Sequence, residues 1–513
     1  MAVDRQVAFR VDGRDVVVDD DGSSLLDVLR DRLGLRGAKD GCSPQGQCGC
    51  CTVLVDGAPR VACVTPIKRI AGRTITTIDG LANAEQWAGA FCASGASQCG
   101  FCTPGIIVRL DALRAGGAGA EDVDKVERAL LAHLCRCTGW RTILDAWRAF
   151  DTSNSSRDLD AASRRAEIEG GVPQRVGLDV SLGRGGFADD SAPADALVAV
   201  PDGAGGWAVG DTLHEARRTA AKTQGRRTTV DVSHPLAVPA GDWAVTLQTA
   251  WVEPAYLETD ASWCAPGGVP SSPLANGGAF GGKASSPVMA AARQLADHHG
   301  RAVRVLLSRE DTVRLGPKRP PIAAGVQRDG RGIVRVARTP GIVEAISAYA
   351  PELTVEEVDV AGPPTSMALR AAGWTEAAVL LAGARRSVTP ITAPNGAVAE
   401  AHVDDRGVRV RVAAGDPLDD VVLRSFCVGA AHMALGWVSS EGIAVDETGE
   451  PLDLTIRSFG VLRAVDTPPI TVEIDNDGSA PRNGSDAVFA AVAAAAWVAQ
   501  GCPPTFPTGR VLR

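Results

Sequence analysis

The sequence predicts an α+β protein in three successive parts: a small β-grasp sheet, a four-helix unit, and a larger α+β region of two lobes. Three observations predict it. Alternating apolar residues broken by Asp-Gly turns dominate residues 5–78, helical periodicity with short connections dominates 85–150, and short strands alternate with alanine-rich helices beyond 170. The expected boundaries are 1–80, 81–150 and 171–513, with 151–170 as an exposed linker because DTSNSSRDLDAASRRAEIEG is poor in apolar residues.

Val7, Phe9 and Val11 alternate up to Asp12-Gly13, and Val16 and Val18 return from it, which is a hairpin signal. Ser23-Ser24 then caps a helix carrying Leu25, Leu26, Val28, Leu29 and Leu33. Residues 52–55 and 60–64 flank Asp56-Gly57 as a second hairpin, and 74–78 adds a strand. Helices are expected over 85–93, 103–114, 121–134 and 138–150, where short connections imply a compact bundle. Farther on, strands are expected at 196–200, 243–252, 303–307, 408–413, 442–445 and 471–474. Helices are expected at 214–223, 286–298, 374–382, 419–435 and 486–500.

Composition narrows the function. With 513 residues, 45% hydrophobic and 22% charged, the chain is globular, and a net charge of −9 with both signs interspersed argues against nucleic acid. The N-terminus lacks an apolar signal core, and the longest apolar run, 487–499, is too short to cross a bilayer. A cytoplasmic protein without a membrane span is the expectation. There cysteines stay reduced, and a dense cysteine pattern points to metal.

Ten of the 13 cysteines precede residue 138. The first set is Cys42-x5-Cys48-x2-Cys51-x11-Cys63, close to the plant-type [2Fe–2S] spacing but one residue longer in its first gap. Gly41, Gly46 and Gly49 let the loop turn with amides toward the sulfurs. Cys50 is the spare, since pairing it with Cys48 would break the C-x2-C clamp. The second set is Cys99-x2-Cys102-x32-Cys135-x-Cys137. Structural zinc is the rival reading for each set, and two cysteine sets in one short unit favour a pair of iron–sulfur clusters. Cys264, Cys427 and Cys502 lie among apolar neighbours as buried small hydrophobes.

GCSPQGQCGCCTV, QCGFCTPG and LCRCTGW, in this order, make residues 5–150 resemble the iron–sulfur subunit of the xanthine oxidase family of molybdenum hydroxylases. The resemblance implies that Cys42, Cys48, Cys51 and Cys63 hold a cluster facing a flavin, and that Cys99, Cys102, Cys135 and Cys137 hold one facing molybdenum. It also implies a pterin contact for Gln98, with an ordinary helix-cap role as the rival. The remainder resembles a shortened molybdopterin-binding subunit: GGAFGGK at 277–283 is similar to the family's glycine-rich loop, with Gly281 against the pterin and Lys283 as a nearby cation, and Leu369-Arg370 falls at its arginine loop.

The family's general base is a glutamate in a GxGE-like turn. Here that segment reads Gly484-Ser485-Asp486-Ala487, leaving Asp486 as the stand-in or as a helix cap and Arg370 as an anion site or a surface ion pair. No catalytic residue is assigned to this chain. The resemblance therefore implies an electron-transfer iron–sulfur subunit with two [2Fe-2S] clusters, with molybdopterin and FAD on partner chains. The alternatives are a self-contained molybdopterin hydroxylase acting on an aldehyde, purine or other heterocycle, and an iron–sulfur redox-sensing or docking protein.

Overall fold

Asp12 and Gly13 both take positive φ, 47° and 79°, and the chain reverses between β1 (Gln6–Val11) and β2 (Arg14–Asp19) with the twist that such a turn favours. The computed structural model describes residues 6–152, 157–220 and 231–510. β3 (Thr52–Val55) and β4 (Ala58–Val61) form the second hairpin, and β5 (Thr74–Thr76) joins the two hairpins in the order β2-β1-β5-β3-β4. β1 and β5 run parallel and the other pairs antiparallel, the mixed sheet of a β-grasp unit.

Ser24 closes a capping box with Asp27 over the short helix Leu25–Asp27, which continues as a π turn over Val28–Arg32 in place of the single longer helix expected. Leu25, Leu26, Val28 and Leu29 fill the sheet's buried face, each burial stabilising by about 1.5–3 kcal/mol.

The four-helix unit comprises Ala84–Ser94, Thr103–Ala115, Val123–Ala129 and Arg141–Ala149. The third helix ends early, tightening into a 3₁₀ turn at Leu130–Ala132 before the Cys135 loop. Trp87 anchors the core between Phe150 and Trp147, at centroid distances of 4.1 and 6.0 Å.

The expected linker is corrected by the structure. Leu159–Gly170 is a helix capped by Asp158, with Arg165 and Glu169 fully buried and paired at 2.6 Å. Glu169 also accepts from the Gly484 and Ser485 amides at 3.0 and 2.9 Å, capping the helix that starts there. The segment is a clamp, not a tether; its residues 153–156 lie outside the described residues.

Beyond it come three sheets. Trp207–Gly210, Leu197–Pro201, Val303–Leu306 and Ala261–Cys264 form one, which carries Val288–His299 and keeps its own core. Leu353–Val358, Gly332–Ala337, Ile322–Val326, Val245–Thr249 and Thr505–Phe506 form the second. Ile391–Thr392, Val398–Asp404, Gly407–Ala413 and Ile470–Asp475 form the third. Trp374–Arg385, Asp420–Ser439 and Ser485–Ala499 join the last two in one core, separate from that of the first.

Alanine lets these helices approach closely, and Gly383 meets the Trp497 ring where a Cβ would stand 2.3 Å away. Residues 442–445 form no strand, only a bridge from Val445 to Pro451. The expected helix at 214–223 runs as Leu213–Thr219, and 221–223 lie outside the described residues. Asp420–Ser439 is the one described helix long and apolar enough to cross a bilayer, and 89% of its most apolar stretch is buried here, as in a core helix.

The first sheet is tied to the larger region by charge. Arg30 reaches Asp189 and Asp190 at 2.7 Å each, and Arg304 reaches Asp31 at 2.5 Å.

Candidate metal centres

Residues 41–51 loop from the π turn to β3, and the loop folds inward because its sulfurs, not its apolar residues, fill the space behind the sheet. Cys42, Cys48, Cys51 and Cys63 are all buried. The longer first gap is absorbed in a tight turn in which the Gln45 amide donates to the Cys42 carbonyl at 2.6 Å and the Ser43 amide to Asp40 Oδ1 at 2.8 Å. Gly46 and Gly49 take φ of 68° and 73°; a Cβ on Gly49 would stand 2.5 Å from the His133 ring. Amides point at sulfur as expected: Gln47 and Cys48 N–H donate to Cys42 Sγ at 3.4 and 3.3 Å, and Cys63 N–H to Cys51 Sγ at 3.5 Å.

The four thiols crowd one another. Hydrogen bonds from Cys48 and then Cys63 hold the Cys42 thiol well below its ordinary range, while contacts with Cys42 and Cys51 push Cys63 up. Four thiolates cannot share this dry space without added positive charge.

The second set sits on the turns between helices. Cys99 and Cys137 Sγ are 3.6 Å apart, and Cys102 faces Cys135, which that contact lowers to about 7. Cys135 Sγ also lies 3.1 Å from Thr138 Oγ1. The expected cysteines thus come together in two groups of four. Among the described residues, no three His, Cys, Asp or Glu side chains surround a single ion. In the second set the sulfurs lie in two pairs, Cys99 with Cys137 and Cys102 with Cys135, which suits two irons better than one zinc.

The two groups share a seam that sequence reasoning missed. Leu134 N–H, one residue before Cys135, donates to the Cys48 carbonyl at 3.0 Å. Gly105, near Cys102, abuts the first loop where a Cβ would stand 2.3 Å from Gly49 O. His133 is buried in the seam with Nε2 3.1 Å from Thr52 Oγ1. Cys50 Sγ lies 3.9 Å from the Cys48 carbonyl and shares with Cys42 and Cys48 the core that also holds Cys102, Cys135 and Cys137, whereas Cys51 and Cys63 belong to the sheet's core. A lone histidine and a glycine carry no spacing signal, so only the glycine-rich, cysteine-rich character of both loops hinted at a close approach.

The Gln98 side chain, expected against a pterin, makes its hydrogen bonds within the chain. Gln98 is buried, and its Nε2 donates to Cys137 O at 3.0 Å and Ser425 Oγ at 2.9 Å. Ser425 belongs to Asp420–Ser439, whose Gly429 lies so close that a Cβ would stand 1.8 Å from Cys137 O. At Gly281 a Cβ would stand 1.7 Å from Ala368 O, so a close backbone crossing alone requires a glycine here. Lys283 is buried against Glu258 at 2.7 Å and Pro273 O at 2.9 Å, which removes it as a free cation. The glycine-rich loop instead covers the second thiol set, with Gly278 against Cys99 and Asn276 Nδ2 donating to Cys99 O at 3.0 Å.

Arg370 makes no surface ion pair. It is buried over the Phe280 ring and 3.4 Å from Asp486, whose carboxyl burial raises; the cap position itself is Gly484. The cavity beside Arg370, lined also by Arg319, Trp437 and Phe489, measures about 40 Å³. That is room for about three waters. A cofactor-sized ligand needs roughly 300 Å³ or more, so these residues do not fit a molybdopterin.

Comparison with known proteins agrees with the cysteine geometry. The family model of a 2Fe-2S iron-sulfur cluster binding domain matches residues 9–68, and that of a [2Fe-2S] binding domain matches 77–148. The aldehyde oxidoreductase of Megalodesulfovibrio gigas is 46% identical over 134 residues, 25% of this chain and 14% of that protein. Xanthine dehydrogenase 1 of Arabidopsis thaliana is 37% identical over 147 residues, 26% of this chain and 11% of that protein. The matched stretch is thus a small part of each relative's length. In overall fold the chain is similar to the crystal structure of the aldehyde oxidoreductase from Desulfovibrio desulfuricans, with TM-score 0.66, 14% identity, and coverage of 96% of this chain and 97% of that one.

Proposed function

The chain belongs to the xanthine oxidase family of molybdenum hydroxylases, and from that premise we propose that it is the family's electron-transfer component, working between a molybdopterin chain and an FAD chain. Cys42, Cys48, Cys51 and Cys63 would hold one [2Fe–2S] cluster, and Cys99, Cys102, Cys135 and Cys137 the other. When bound, such clusters accept and release one electron each. The protein's own part is to bury the sulfurs, to aim the Gln47, Cys48 and Cys63 amides at them, and to fix the spacing of the two sets.

The observation that carries this reading is the seam: Leu134 N–H on Cys48 O joins the two ligand loops through one hydrogen bond. Helix Asp420–Ser439 on Gln98 and Cys137 supports placing molybdopterin on a partner. The test is co-purification with quantification of iron, molybdenum and flavin. About four irons per chain, two distinct paramagnetic resonance signals and no molybdenum in the isolated chain are expected. Molybdenum near one per chain, with aldehyde or purine oxidation, would establish the self-contained hydroxylase instead. That alternative has in its favour the likeness in fold along the whole chain, whereas the cavity beside Arg370 does not fit a molybdopterin.

A further inference from the structure

The first thiol set approaches the surface beside Gln47, whose N–H donates to Cys42 Sγ at 3.4 Å. Val64, next to Cys63, is 52% exposed and rests on Gly46, where a Cβ would stand 2.9 Å from it. Arg457 bridges from this loop to the turn before the second set: its Nε donates to Gln47 O at 3.1 Å and its Nη2 to the carbonyl of exposed Leu131 at 2.6 Å. Arg109 continues the surface through Nε to Ala129 O at 3.0 Å, and Arg60 on β4 lies near enough that burial and then its charge hold Arg109 below its ordinary range.

Among the described residues, none of Arg60, Arg109 or Arg457 has a carboxylate within ion-pair distance, although the neighbouring Arg141 is paired with Glu127 at 3.0 Å and Arg463 with Asp466 at 2.5 Å. On a protein of net charge −9, three guanidiniums without a carboxylate partner make this stretch of surface locally positive, and Arg60 and Arg109 lie close enough to repel each other. They flank the exposed side chains of Val64, one residue from Cys63, and of Leu131. A small apolar contact with a charged rim is what a transient electron-transfer encounter uses, since steering matters there more than area.

We propose that this surface, Arg60, Val64, Arg109, Leu131 and Arg457, docks the one-electron partner of the first cluster, and that the partner is an acidic protein presenting carboxylates around an apolar contact. The proposal rests on the electron-transfer reading above.

The test uses the full iron-loaded chain, reduced with dithionite and mixed in stopped flow with oxidised flavodoxin, an acidic acceptor, or with basic cytochrome c. Each reaction moves one electron from a reduced cluster to the acceptor. At about 0.02 M ionic strength the bimolecular rate to flavodoxin should fall roughly tenfold or more in Arg60→Glu and in Val64→Asp, and the gap for Arg60→Glu should close near 0.5 M. Cytochrome c should react no more slowly with Arg60→Glu than with the parent.

Parental rates to flavodoxin in both variants at low salt, or a salt-independent parent, would overturn the docking surface while leaving the relay intact. A parent without paramagnetic clusters would overturn the relay and this surface with it. Both substitutions are at exposed positions, and retention of both resonance signals separates lost docking from lost folding.

Discussion

Gly105 and Gly49 meet so closely that a Cβ on residue 105 would stand 2.3 Å from the Gly49 carbonyl oxygen and 2.9 Å from that of Cys50. Both obstacles are backbone, so no rotamer change relieves them. Gly105→Val should force the two cysteine loops apart at a cost of about 1–3 kcal/mol. The expected outcome is a melting temperature lower by several degrees with weakened magnetic coupling between the two reduced clusters. An unchanged melting temperature and coupling would mean that the seam is looser than this contact implies.

Cys50 and Cys51 are neighbours in sequence and lie in different cores, Cys51 with Cys63 in the sheet's core and Cys50 with Cys42, Cys48, Cys102 and Cys135 in the next, so the assignment of Cys51 as ligand rests on its C-x2-C spacing from Cys48. Cys51→Ser should remove the first cluster's paramagnetic resonance signal and spare the second. Cys50→Ser should preserve both signals and the iron content. Loss of the first signal in Cys50→Ser would reassign the ligand.

Glu169 holds Arg165 at 2.6 Å and caps the Gly484 and Ser485 amides. Glu169→Ala would leave a buried guanidinium without its partner and two amides without an acceptor. Breaking such a pair costs about 3–5 kcal/mol, and chemical denaturation should register most of it. A loss below about 1 kcal/mol would return residues 159–170 to the status of a dispensable connection.

That helix shows where sequence reading failed. Ala161, Ala162, Arg165, Ala166 and Glu169 form its buried stripe, but two members are charged, and their i,i+4 pairing hides an inward face behind an apparently solvated composition. Ile322–Val326 was missed for a related reason: IAAGV is too small and short to stand out, and only burial on both sides makes it a central strand. The hairpins at Asp12-Gly13 and Asp56-Gly57 were legible because a left-handed turn demands those residues locally. The cysteine sets were legible because ligation imposes spacing on the chain. The closure over Gln98 was not, since Ser425 and Gly429 reach it from more than 300 residues away.

The last prediction concerns acid. His133 and His432 are fully buried and each is held at about 3, by burial first and then by nearby cations: Arg109 and Arg457 for His133, Arg136 and Arg141 for His432. A hydrogen bond opposes the shift in each case without reversing it, from the seam's backbone for His133 and from Leu462 O for His432. In the unfolded chain both would titrate near 6.5. Between those values the unfolded state binds more protons, so stability rises with pH there; it is fully present above about 6.5 and is lost as pH falls toward 3. By pH 5 each histidine should have removed about 2 kcal/mol. Denaturation of the iron-loaded chain at pH 7.5 and pH 5 measures the sum, and His133→Asn and His432→Asn should each flatten the slope by about half. Because His133 lies between the two cysteine loops, its variant should also report whether acid opens the seam first: if the parent loses magnetic coupling between clusters before it unfolds, and His133→Asn does not, the seam is the acid-labile element of the fold.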